Sequence, residues 1–130
     1  MLLPTFIQEN RCVVAFPEVV DFSNAAAVHT GLRRILTDHV GDVHTLVIDL
    51  SASRFVTAAA LRLLEETHQQ LAASGLSLHL VAGAPLVVKV LRVTGLLHRF
   101  PVHPCLDQVV GRGAGAAVSE PAGALTVAPA

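Results

Sequence analysis

The chain has no Trp and no Tyr, and five Phe make up its aromatic share of 4%. That leaves little platform for stacking bases or sugars, and it predicts an aliphatic core. Charge is also scarce. Charged residues are 15% of the chain, and nine Lys+Arg against ten Asp+Glu give a net charge of −1. With no basic excess to collect phosphates, the composition argues against nucleic acid as a partner. No apolar run approaches the roughly 20 residues of a membrane-spanning helix, so no membrane insertion is expected. The opening MLLPTFIQEN lacks the basic region of a secretory leader. The two cysteines, Cys12 and Cys105, stand far apart and form no C-x-x-C pair. They read as two buried thiols of a cytoplasmic protein, with a disulfide as the less favoured alternative. Lys89 is the single lysine and Ala is abundant, a bias associated with GC-rich bacterial genomes.

What is present is a core. Hydrophobic residues are 52% of 130, which predicts one folded domain over residues 1–110. Residues 111–130, GRGAGAAVSEPAGALTVAPA, are mostly Gly, Ala and Pro and read as a flexible tail. Its GRGAG fragment resembles a phosphate loop in composition alone, since it neither follows a strand nor opens an amphipathic helix.

Within the domain the apolar period alternates between two and 3.6. Leu2–Gln8 and Cys12–Phe16 are short runs separated by Glu9-Asn10-Arg11, a hairpin pattern. Ser23 or Asn24 then caps a helix with Val28, Leu32, Ile35 and Leu36 on one stripe, and Gly41 stops it. Thr45–Leu50 is a strand. Ala58–Ala73 is the longest helical pattern, with Leu64, Thr67 and Leu71 inward, and Gly75 ends it. Leu76–Ala82 alternates as a strand, and Pro85 opens a third helix running to Gly95. Phe100–His103 is a last strand, placed at a sheet edge because Pro101 and Pro104 remove ladder donors. A final turn is expected at Leu106–Val110.

The order is ββαβαβαβ(α), an α/β fold. Asp49, Ser77 and His79 interrupt one face of the strands. A sheet covered on both faces would show unbroken apolar runs. The pattern therefore predicts a mixed sheet with helices mainly on one face and a partly polar opposite face.

Catalytic and metal signatures are missing. The seven His, at positions 29, 39, 44, 68, 79, 98 and 103, form no H-x-x-x-H pair. His103-Pro104-Cys105 is the tightest grouping and lacks two further ligands, so no metal site is expected. No Gly-x-Ser-x-Gly elbow and no P-loop lysine occur. Glu65 and Glu66 fall on the wet side of a helix. No cofactor is implied, and the chain does not read as an enzyme.

Three segments carry a resemblance: IDLSASRFV, TAAALRLLEETHQQLAASGLSLHLV and VVKVLRVTGLLHRFPVHP. In order and spacing they resemble the STAS domain of bacterial anti-sigma factor antagonists, most closely at VLRVTGLLHRFPVHP. FPEVVDFSNA is similar to the family's Gly-Glu-Leu-Asp segment, with Asp21 at the aspartate. The resemblance implies a STAS-like fold and a non-enzymatic module that binds an anti-sigma factor or a related kinase-like regulator. A homodimer is admitted as well. In the family, Asp-Ser-Ser-Gly opens the second helix and a serine there is phosphorylated. Here the run is Thr57-Ala58-Ala59-Ala60, so Ala58 stands at the acceptor position and has no hydroxyl. Thr57 reads as a helix cap, with phospho-acceptor as its alternative role. The partner-binding residues that the resemblance implies are Asp21, Ser23, Ser53, Thr57, Ala58, Ala59 and Leu61. Two other readings stay open: a structural STAS subunit of a transporter-associated or scaffold complex, and a small-ligand or nucleotide sensor.

Overall fold

The computed structural model describes residues 3–39 and 41–106. Strands β1 (Thr5–Gln8) and β2 (Arg11–Ala15) form the expected hairpin, followed by α1 (Ala25–Asp38), β3 (Thr45–Asp49) and α2 (Ala58–Ala73). Then come β4 (Ser77–Val81), α3 (Pro85–Val93), one 3₁₀ turn (Leu96–His98) and β5 (Val102–His103). The sheet order is β1-β2-β3-β4-β5. Only the hairpin pair is antiparallel, and β2, β3, β4 and β5 run parallel. Successive strands lie side by side, so the α1, α2 and α3 crossovers, sharing one hand, fall on one face.

Strand alternation decides which side chains meet them. Cys12, Val14, Leu46, Ile48, Leu78 and Leu80 join Val28, Leu32, Leu64 and Leu91 in the main core. The opposite face is less polar at its centre than the sequence suggested. Val13, Val47 and Val81 are buried there with Leu106 packed against them, while Thr45, Asp49, Ser77 and His79 stay partly or fully exposed around them.

Several elements are shorter than their apolar runs, because a run continues past the last ladder pair. The last strand shrinks by half, to two residues between Pro101 and Pro104, and sits at the edge as expected. Cys12 is buried, and loss of hydration pushes its thiol up to about 11. Cys105 corrects the reading of two buried thiols. It lies exposed in the loop beyond the two-residue β5, where no element among the described residues covers it. Both cysteines are free. Of the expected turn at Leu106–Val110 only Leu106 is described, and the tail, 111–130, lies outside the described residues.

Gly83 fixes the passage from β4 into α3. A Cβ there would meet the Pro104 carbonyl oxygen at 2.8 Å, a backbone atom that cannot swing away. Gly83→Ala is therefore expected to destabilise by about 1–3 kcal/mol. A thermal melt of this variant against the parent checks it, with roughly 5 °C lost per kcal/mol.

Candidate functional site

The start of α2 is held by one hydroxyl. Thr57 takes the N-cap position in extended backbone, and its Oγ1 accepts from the Ala60 N–H at 3.0 Å. The same hydroxyl donates to the Val20 carbonyl oxygen. That second bond ties the β3–α2 loop to the loop that follows β2. The sequence indicated the cap but not this tie. Removing the hydroxyl with Thr57→Ala should cost about 1–2 kcal/mol, since it deletes the cap and orphans a carbonyl. Thr57→Ser should retain most of it. Chemical denaturation of the two variants tests the difference.

The neighbouring loop is built from short polar side chains. Asp21 Oδ1 accepts from the Ser23 hydroxyl at 2.5 Å and from the Ser23 N–H at 2.9 Å. These bonds, hydroxyl first, hold the Asp21 carboxyl below its usual range. Asn24 occupies the N-cap position of α1 but makes no capping bond. Its side chain turns back instead, accepting from the Asp21 N–H at 2.8 Å and donating to the Val19 carbonyl at 2.9 Å. An Asp-Phe-Ser-Asn turn locked at both polar ends leaves its second side chain outside. Phe22 is accordingly 87% exposed.

Phe55, on the other tied loop, is 45% exposed. The sequence reading assigned neither phenylalanine a role. At Phe22 the available signal is an apolar residue enclosed by the turn-forming Asp21, Ser23 and Asn24. Between α1 and α2 lies a shallow, mainly apolar hollow lined by Phe22, Ala25, Ala26, Ala58 and Ala59. His29 also lines it, and its Nε2 is buried without a hydrogen-bond partner among the described residues.

The other expected site residues separate by burial. Ala58 and Ser23 are exposed, Asp21 and Thr57 are half-buried, and Ala59 is buried. Leu61 packs partly against the core. Ser53 lies below the surface, 6% exposed, with its hydroxyl directed at the Pro17 carbonyl at 3.4 Å. No group of three or more His, Cys, Asp or Glu among the described residues could hold a metal ion.

The STAS domain family model matches residues 4–109. The chain belongs to the STAS domain family. One similar solved structure is an anti-sigma factor antagonist from Mycobacterium paratuberculosis, 28% identical with a TM-score of 0.70, covering 81% of this chain and 86% of that one. Another is a serine-to-glutamate variant of RsbS from Moorella thermoacetica, 26% identical with a TM-score of 0.68, covering 81% and 88%. The anti-sigma factor antagonist SpoIIAA in its unphosphorylated form shares the fold at 15% identity and a TM-score of 0.69, covering 89% and 99%. No curated protein matches by sequence. As a STAS domain the chain is a non-enzymatic protein-interaction module that resembles anti-sigma factor antagonists. No helix among the described residues is long and apolar enough to cross a membrane.

Proposed function

We propose that this STAS domain is a cytoplasmic anti-sigma factor antagonist that binds an anti-sigma factor, or a related kinase-like regulator, through the α2 start. In this reading phosphorylation does not switch it. The observation that carries the reading is Phe22. A large apolar side chain 87% exposed on a loop fixed by its own hydrogen bonds is a preformed anchor for a partner. Phe55 adds a second ring, and the Thr57–Val20 bond sets the two loops against each other before binding. Ala58, which lines the same hollow as Phe22, is small and exposed, which lets a partner backbone approach.

The absence of a switch follows from the same residues. Phosphorylation acts by adding roughly −1.5 to −2 charges, and Ala58 offers no oxygen to receive them. Thr57 has a hydroxyl, but its proton is donated to Val20 while its oxygen caps α2 at Ala60, so phosphorylation would remove the bond that ties the two loops. Incubation with ATP and the host's anti-sigma kinases is expected to leave the intact mass unchanged, while Ala58→Ser gains one phosphoryl group. Stoichiometric phosphate on Thr57 of the unaltered protein would overturn this reading.

A further inference from the structure

The two edges of the sheet differ in what they offer a second chain. At β5 the ladder is two residues long and is bracketed by Pro101 and Pro104, neither of which has an N–H to give. At the other edge, no described strand pairs with the outer side of β1. The hairpin register shows which groups face out. Gln8 lies opposite Arg11 across the two-residue turn, Phe6 opposite Val13, and the Ala15 N–H bonds to the Pro4 carbonyl at 2.8 Å. Residues 4, 6 and 8 therefore direct their backbone groups toward β2. Thr5 and Ile7 point theirs away from the sheet. Phe6 and Ile7 are 44% and 38% exposed, and Thr5–Gln8 carries no charge.

We infer that β1 is a self-association edge whose occupant is the β1 of a second copy of this chain. An antiparallel pair with its two-fold axis at Phe6 sets Thr5 opposite Ile7 of the other copy, twice, and uses the outward N–H and C=O groups of both. Phe6 then meets its own equivalent in the closer, non-hydrogen-bonded position, where aromatic pairs gain most. Phe6 shares its sheet face with Val13, so the paired rings extend the apolar patch of Val13, Val47 and Val81. Electrostatics permits the symmetry, because no like charges face each other along the strand. The area sets the strength. A four-residue edge buries less than the roughly 1,000 Å² that a lasting interface needs, so the dimer is transient and concentration-dependent. It uses none of Phe22, Phe55 or Ala58, so it stands independently of the proposed function.

Sedimentation across a wide concentration range tests this on the full chain alone. The weight-average mass should climb toward two chains, and amide exchange at Thr5 and Ile7 should slow as concentration rises. Ile7→Pro removes an outward donor and no internal ladder bond, so it should stay monomeric with little change in melting. Phe6→Lys, which places like charges face to face, should do the same. Ala58→Glu should leave self-association unchanged. A monomer at every concentration, or a dimer without protection of Thr5 and Ile7, would overturn the inference. So would a dimer that survives in folded Ile7→Pro, or one abolished by Ala58→Glu.

Discussion

Replacing Ala58 with Glu is expected to weaken partner binding roughly 100-fold, about 2.7 kcal/mol, without unfolding the domain. The two effects separate because the residue does two different things in the two states. In the free protein Ala58 is exposed at the first position of α2, and that helix has no acidic residue in its first turn. A carboxylate there meets the positive end of the helix dipole and should be neutral or stabilising by about 0.3–1 kcal/mol. In the complex the same carboxylate is desolvated against the partner beside Phe22, and Arg62, one helical turn on in the same hollow, offsets only part of that cost. Burying a charge at an interface is costly even when a neighbour partly compensates it. Glu65→Ala is the control, since Glu65 pairs with Arg99 at 2.8 Å at a partly exposed site of the same helix. Surface pairs of this kind contribute about 0–1 kcal/mol. Calorimetry and melting curves of both variants read the two effects separately.

Acidification is expected to destabilise the fold through two histidines on the far face of the sheet. His79 Nδ1 and His103 Nε2 are 3.0 Å apart. Their rings are within 8° of parallel and their centroids are 5.2 Å apart. That separation is nearly the N–N distance plus two ring radii, so the rings lie end to end in one plane, joined by an N–H···N bond. Such a bond needs at least one nitrogen free of a proton. Burial lowers the pKa of His79 first, with the charges of His103 and Arg11 adding to it. Burial, then Arg11, lowers that of His103. Both folded values thus lie below the ordinary 6.5. The unfolded chain binds more protons between that value and the folded ones, so stability is full above about pH 6.5 and falls as the pH drops through this window. The slope is bounded by about 1.4 kcal/mol per pH unit for each histidine, and partial exposure keeps it below that bound. Because the pair links β4 to the two-residue β5, the loss should centre on that edge. Urea unfolding at pH 7.5 and 5.5 should show it, and His103→Gln should flatten the dependence. An equal acid loss in His103→Gln would place the cause elsewhere.

The parts legible in the sequence were those set by local pattern. Helix α2 has the predicted bounds because Thr57 before it and Gly75 after it punctuate an unbroken 3.6-residue stripe. The one-faced layout followed from Asp49, Ser77 and His79 interrupting one strand face. What escaped depends on contacts between distant segments. Thr57 and Val20 are 37 residues apart, and nothing in either loop announces their bond. The His79–His103 bond spans 24 residues and needs the β4–β5 register to bring the rings together. The outward side chain of Phe22 is illegible for a different reason. Sequence reading treats a lone phenylalanine as core, whereas the Asp21, Ser23 and Asn24 side chains bond to their own backbone and turn it outward.

The most direct test of the central claim is an amide NMR titration of the unmodified protein with the host's anti-sigma factors. The account predicts saturable shift changes concentrated at residues 20–25 and 55–62, around Phe22, Phe55 and Ala58. Changes confined to the exposed side of α3, at Leu86 and Val93, with the α2 start unmoved, would contradict it.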